Sequence, residues 1–312
     1  MGLIRLFPAN TKIPFMRWTV VTVPATIVAT IISIALFFTV GLNVGIDFQG
    51  GTVIEIKTKD GPADIGEIRA TLEALNLGDV QVVEFGAPDD VLIRVQRQEG
   101  GDEAQQRVIA LVQDTFGDTV DFRRTEVVGP RVSGELARNG VIGVGVALLG
   151  ILVYLWFRFE WQYAVGAVLT TAHDVIMTIG LFAALQLDFS LSSIAAILTI
   201  LGYSLNDTVV VYDRIRENLR KYKKMPLREL IDMSINDTLS RTTITAVTTL
   251  LALLALYFFG GEVISSFVLA MIWGILVGTF SSIFVAAPAL ILFGLRPSKP
   301  AADEPSKSAT AT

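Results

Sequence analysis

The sequence predicts an α-helical integral membrane protein with six transmembrane helices and a small α+β domain inserted between the first two. Three observations carry this. The 312-residue chain is 52% hydrophobic and 18% charged, and its mean hydropathy of +0.58 is too apolar for a soluble protein of that size. Six segments, 18–40, 139–157, 161–187, 191–212, 242–259 and 263–295, are each long enough to cross ~30 Å of hydrocarbon. The stretch between the first two is polar and changes period from strand-like to helix-like and back.

Residues 1–17 carry Arg5, Lys12 and Arg17 and precede a charge-free run over 18–40. That run is longer than a signal-peptide core and has no convincing small-residue cleavage site after it, so a retained anchor is expected. Lysine and arginine gather at the N-terminus, at Arg158, between Asp213 and Arg228, and after Leu295. The short loops 186–190 and 260–262 have none. The positive-inside rule therefore places both termini in the cytoplasm and residues 41–135 across the membrane.

Within 41–135, Gly51 to Thr58 alternates like a strand, Ala63 to Leu75 has helical spacing, and Val80 to Phe85 is strand-like. A second round follows with Val91 to Val95, the amphipathic Glu103 to Phe116, and Thr119 to Val128. The order β-α-β-β-α-β is that of a ferredoxin-like domain, an arrangement that does not by itself name a function.

The five later spans lie within 136–295. Gly140, Gly143, Ala147 and Gly150 form one small-residue stripe, and Gly274, Gly278, Ser282 and Ala286 form another, both suited to close helix packing. Pro24 and Pro288 predict local kinks. Residues 213–238 read as a basic, partly amphipathic cytoplasmic connector broken by Pro226. The tail 296–312, rich in Pro, Ala, Ser and Thr, is expected to be disordered.

The polar groups at membrane depth are the functional candidates. Asn206 and Asp207 lie in the run GYSLNDTVVVYDRIREN (202–218), and an acid at mid-membrane costs roughly 2.5–3.5 kcal/mol on insertion scales, so it is expected to face other helices or a hydrated cavity. Arg241, Thr245 and Thr248 share one helix face, and Tyr203 and Ser204 lie one turn before Asp207. An Asp207–Arg241 pair is expected, either standing or formed in only one conformational state, with structural hydrogen bonding for Asp207 and snorkelling for Arg241 as the plainer readings. His173 and Asp174 form a third candidate, either in a proton path or in packing.

Other chemistries find little support. The chain has no cysteine and one histidine, which excludes disulfides, thiolate sites and a multi-histidine metal centre. P-loop, HExxH and GxSxG motifs are absent from the sequence, and no basic block suggests nucleic acid. Asp174 and Asp207 could in principle form the dyad of an intramembrane aspartyl protease, but nothing around Asp207 resembles a GxGD loop.

Several motifs in order resemble the SecF branch of the SecD/SecF family, relatives of the RND transporters: GIDFQGG (45–51), VGPRVSGEL (128–136), HDV (173–175), GYSLNDTVVVYDRIREN and TLSRTTITAVTTL (238–250). The resemblance runs to about Leu295, with Ala246 standing where a serine is expected. It implies half of an RND-type bundle with a periplasmic domain at 41–135. The corresponding function is that of a non-enzymatic auxiliary subunit in the bacterial inner membrane, working with SecD beside SecYEG to promote preprotein export with the proton motive force. Protons would be the coupling ion and no other cofactor is implied. By resemblance Asp207 and Arg241 form the proton relay, supported by His173, Asp174, Tyr203, Asn206, Thr245 and Thr248. Asp47, Gly50, Gly51, Gly129 and Pro130 would form the junction that moves the domain. Rival readings are a self-sufficient RND-like exporter of small hydrophobic molecules, a passive scaffold for SecD, and the protease.

Overall fold

Among the described residues of the computed structural model, 11–78, 80–261 and 264–295, six helices are long and apolar enough to span a membrane. The expected disordered tail lies outside the described residues. Helix α1 (Phe15–Thr39) runs through Pro24 and leaves most of its surface uncovered by the rest of the chain. It rests on the helix Trp161–Leu185 where Ser33 meets Gly180; a Cβ at Gly180 would overlap Ser33, so only glycine admits the contact.

After α1 come β1 (Asn43–Val44), the single turn α2 (Ile46–Gln49), β2 (Gly51–Thr58), α3 (Ile65–Ala74), β3 (Val80–Phe85), β4 (Ala87–Gln96), α4 (Gly101–Phe116) and β5 (Val120–Val128). Strands β2 to β5 form an antiparallel sheet in the order β3-β4-β2-β5. Alternation puts Ile54, Ile56, Val82, Val91, Ile93 and Val95 on the buried side, against Leu72 of α3 and Val108 and Val112 of α4. The Asp64 carboxylate caps α3 by accepting from Glu67 N at 3.0 Å.

The sheet begins at a pair of glycines whose backbone demands them. Gly50 and Gly51 have φ of +73° and +135°, and a Cβ on Gly51 would lie 2.6 Å from Val95 O. Gly51→Ala is therefore expected to destabilise the protein by more than the ~1 kcal/mol typical of a glycine exchanged at an ordinary site. A melting temperature equal to wild type would contradict this.

Helix α5 (Pro130–Arg158) starts at Pro130, well before the expected 139. Pro130 occupies the first turn, where its missing N–H is not needed, and Gly129 precedes it in extended conformation. Helices α6 (Trp161–Leu185), α7 (Leu191–Lys221) and α8 (Leu227–Phe259) follow, with β6 (Asp188–Phe189) between α6 and α7. Both α7 and α8 extend beyond their apolar runs, so much of the 213–238 connector is helix continuous with the spans. Hydropathy detects only the lipid-matched part of such a helix.

The sixth span consists of α9 (Ser265–Ser281), a widened turn at 282–286, and α10 (Ala287–Leu292). Pro288 has no N–H to offer Phe284, and the extra residue in the turn absorbs the mismatch. Tyr212 OH donates to Ala286 O at 3.0 Å, satisfying a carbonyl in the loosened stretch.

The two small-residue stripes behave differently. A Cβ on Gly274 would overlap Ile200, and one on Gly278 would lie 3.1 Å from Ser204 Cβ, so the second stripe is the seat of α7 on α9. On α5 only Gly140 closes on a neighbour, Ile194, while Gly143 and Gly150 have no side chain or backbone opposite them. Gly274→Ala should cost about 1–3 kcal/mol by overpacking, and Ile200→Ala in the same chain should restore part of it. Additive losses in the double variant would rule this contact out as the cause.

At the end of the bundle away from the sheet, Phe15, Met16, Tyr163, Tyr212, Ile215 and Leu230 share a buried cluster. Arg158 donates to both oxygens of Asp213 at 2.8 and 2.9 Å, and Arg214 pairs with Asp237 at 2.8 Å. Asp213 thus ties α5 to α7 through an exposed ion pair.

Candidate functional site

The best-ordered polar site in the membrane region is centred on Asp174, which is 0% exposed. Its Oδ2 accepts from Ser204 Oγ of α7 at 2.5 Å and from Ser281 Oγ of α9 at 2.9 Å, while Oδ1 lies 2.9 Å from His173 Nδ1. One carboxylate therefore ties three helices together. Ser204 can approach because Gly278 faces it without a side chain. His173 is buried too, and its Nε2 has no hydrogen-bond partner among the described residues.

Three residues along α7 from Ser204, Asp207 is 3% exposed. Its Oδ2 is closed off from solvent and unpartnered among the described residues. The hydroxyls of Thr208 and Thr242 are likewise buried without partners, and so is the Tyr203 hydroxyl, which has Thr249 and Thr279 among its polar neighbours but no regular hydrogen bond to them. Polar groups that are left unsatisfied in so apolar a setting are costly. Their concentration around Asp207 marks a place where a proton or water has bonding positions open to it.

The expected Asp207–Arg241 contact is not formed. Arg241 is exposed and makes no ion pair among the described residues, although it lies near enough to act on Asp207 through space. Thr245 Oγ1 donates to Arg241 O at 2.9 Å and Thr248 Oγ1 to Ile244 O at 2.8 Å, so both hydroxyls bond within α8. With Thr248 and Asn206 also exposed, this polar face is turned away from the chain's own bundle. The sequence fixes which face of α8 is polar but not which way that face is turned. The protease dyad is not formed either, since both Asp174 oxygens are engaged by His173, Ser204 and Ser281.

Of the junction residues, Asp47 Oδ2 accepts from Leu191 N at 2.9 Å at the start of α7. A Cβ on Gly50 would lie 3.1 Å from Val128 O and 3.3 Å from Ser133 Oγ, which places this glycine where the sheet meets α5. Gly129 is in ordinary extended backbone and has no conformational need for glycine. Three participants escaped the sequence reading. Ser281 lies in an apolar run, and Arg94 and Asp188 carry no local signal of a site; across 94 positions they form an ion pair.

Residues 107–296 match the family described as "Protein export membrane protein SecD/SecF, C-terminal", and residues 35–61 match the SecD/SecF GG motif. The chain is 46% identical to protein translocase subunit SecF of Rhodobacter capsulatus over 97% of its own length and 96% of that protein. It is 49% identical to protein translocase subunit SecDF of Brucella abortus over 94% of this chain, which spans 39% of that longer protein. The crystal structure of SecDF from Thermus thermophilus, described as a translocon-associated membrane protein, superposes with a TM-score of 0.83 at 36% identity. That match covers 92% of this chain and 39% of the other.

Proposed function

The chain belongs to the SecD/SecF family of protein export membrane proteins, and on that premise we propose that it is the proton-coupled, non-enzymatic half of a preprotein export machine. The observation that carries the reading is Asp207, a carboxylate in a membrane-spanning helix with one oxygen buried and unpartnered. Intramembrane acids of this kind mark ion and proton routes. In this reading Asp207 takes up and releases the proton. Arg241 stabilises its ionised form through space and closes on it in another state of the cycle. The Asp174 network holds α6, α7 and α9 as one body.

The energetics suffice. A single charge crossing ~150 mV releases about 3.5 kcal/mol, enough to bias a two-state movement several-hundred-fold. The sheet domain, on the outer side by the distribution of lysine and arginine, would be the part moved. Gly50, Gly51, Gly129 and Pro130 lie where it joins the helices.

A SecD-like chain is the partner proposed. The face bearing Asn206, Arg241 and Thr248 is exposed at membrane depth, and such a face needs a polar partner more than it needs lipid. In the Brucella and Thermus relatives the extra chain length would supply that partner. SecYEG and the emerging preprotein are the further partners, in the inner membrane with both termini cytoplasmic. Co-purification in mild detergent tests the complex: recovery of the chain alone would count against a SecD-like partner, and resistance to small hydrophobic compounds without any secretion phenotype would favour the self-sufficient exporter.

A further inference from the structure

The inserted region also touches the membrane region at the α6–α7 turn, through the connector that follows α1 and through Arg94 of the sheet. Strand β1 pairs in parallel with β6, aligning Asn43 with Asp188 and Val44 with Phe189. Gly45 N donates to Phe189 O at 2.9 Å, and Asn43 Nδ2 to Gln186 O at 3.1 Å. Asp47 accepts from Leu191 N, the first residue of α7. Arg94, from the middle of the sheet, reaches across to Asp188 Oδ2 at 2.5 Å. The turn that starts the Asp207 helix is thus gripped by the connector leading into the sheet and by Arg94 of the sheet itself.

The grip is uneven at Asp188. Its side chain keeps 37% of its exposure, yet Oδ1 is closed off from solvent and has no hydrogen-bond partner among the described residues. Oδ1 lies where a Cβ on Gly45 would be 3.1 Å away, so the glycine is what lets the carboxyl in. Beside the joint, a cavity of about 90 Å³ lined by Gln49, Gln81, Arg94 and Gln96 gives room for water.

We propose that Asp188, held between Arg94 of the sheet and Asp47 beneath α7, is a proton-responsive joint that sets how firmly the sheet domain stays docked on the α6–α7 turn. Burial pushes its carboxyl above the ordinary 3.8, Arg94 opposes that rise, and the like charge of Asp47 adds to it. A docked carboxyl with a raised pKa takes up a proton more readily than an undocked one, so protonation favours docking. The docking contribution is full below the ordinary carboxylate range and is lost as pH rises through the raised value. Asp188 is a positioning residue here: it acts on α7 through the turn. The contacts of Asp188 place the joint and its raised pKa gives the direction of the response; the export reading adds only the source of the proton, the outer compartment.

The chain has no cysteine, so spin labels can be confined to Leu111→Cys on α4 and Leu185→Cys on α6, both exposed positions. Their distance distribution in the full-length protein, in nanodiscs, is followed from about pH 4 to about pH 8. The docked distance should dominate at the acid end and give way to a broader population as pH rises, with a midpoint above 3.8. Asp188→Asn should stay docked throughout. Arg94→Gln should move the midpoint up and Asp47→Asn should move it down, opposite shifts that a merely structural contact would not produce. A wild-type distribution indifferent to pH, or a response that survives Asp188→Asn, overturns the proposal. If Asp188→Asn does not fold, shifts of the same sign in the other two variants overturn it. Asp207→Asn should keep the response, so failure of the relay and failure of the joint are read separately.

Discussion

Inverted membrane vesicles carrying Asp207→Asn should lose the part of preprotein export that depends on the proton gradient, while export in its absence stays at the wild-type level. Asparagine fills the same space as aspartate but has no proton to exchange, so it isolates titration from packing. The free energy at stake is about 3.5 kcal/mol per proton, which is large enough that a relay role would leave little gradient stimulation behind. Arg241 offers the internal comparison. It is exposed and unpaired among the described residues, so Arg241→Gln should disturb the fold little yet reduce the same stimulation. Full stimulation in the Asp207 variant would eliminate the relay and leave the passive scaffold as the better account.

Replacing Asp174 with alanine should produce the largest loss of stability of any single polar substitution in the membrane region. Two interhelical serine bonds at ~0.6 kcal/mol each would supply only about 1 kcal/mol. Truncation also strands the Ser204 hydroxyl and the His173 ring in a buried site, which raises the expected loss to about 2–4 kcal/mol, although Ser281 keeps its bond to Gly278 O. Asp174→Asn, which keeps an acceptor oxygen, should lose less. Thermal unfolding in detergent reads both, and an alanine variant within about 1 kcal/mol of wild type would show that α6, α7 and α9 are held by apolar packing instead.

Much of this was legible in order along the chain. The strand and helix periods of the inserted domain predict the βαββαβ succession, and the glycine pair at its head is explained by backbone angles open to few other residues. Asp207 stood out because a charge in an apolar run is conspicuous whatever surrounds it. Ser281 did not, since a serine in a membrane helix is common and bonds to its own backbone at no great cost. Arg94 and Asp188 were invisible for a different reason: each is unremarkable locally, and only the docking of the sheet on the α6–α7 turn makes them neighbours.

The sequence by itself therefore determined the number of spans, the presence and topology of the inserted domain, and the identity of the buried acids, because each of these is written in local period, length or the price of a charge in hydrocarbon. Tertiary structure alone decided which groups meet. It gave Asp174 to two serines and a histidine, left Arg241 facing outward, and joined Arg94 to Asp188. Helix rotation and domain docking are set by packing over the whole surface, with Gly180, Gly274 and Gly278 fixing how closely the helices approach. A local pattern can show that a face is polar, but not what lies across from it.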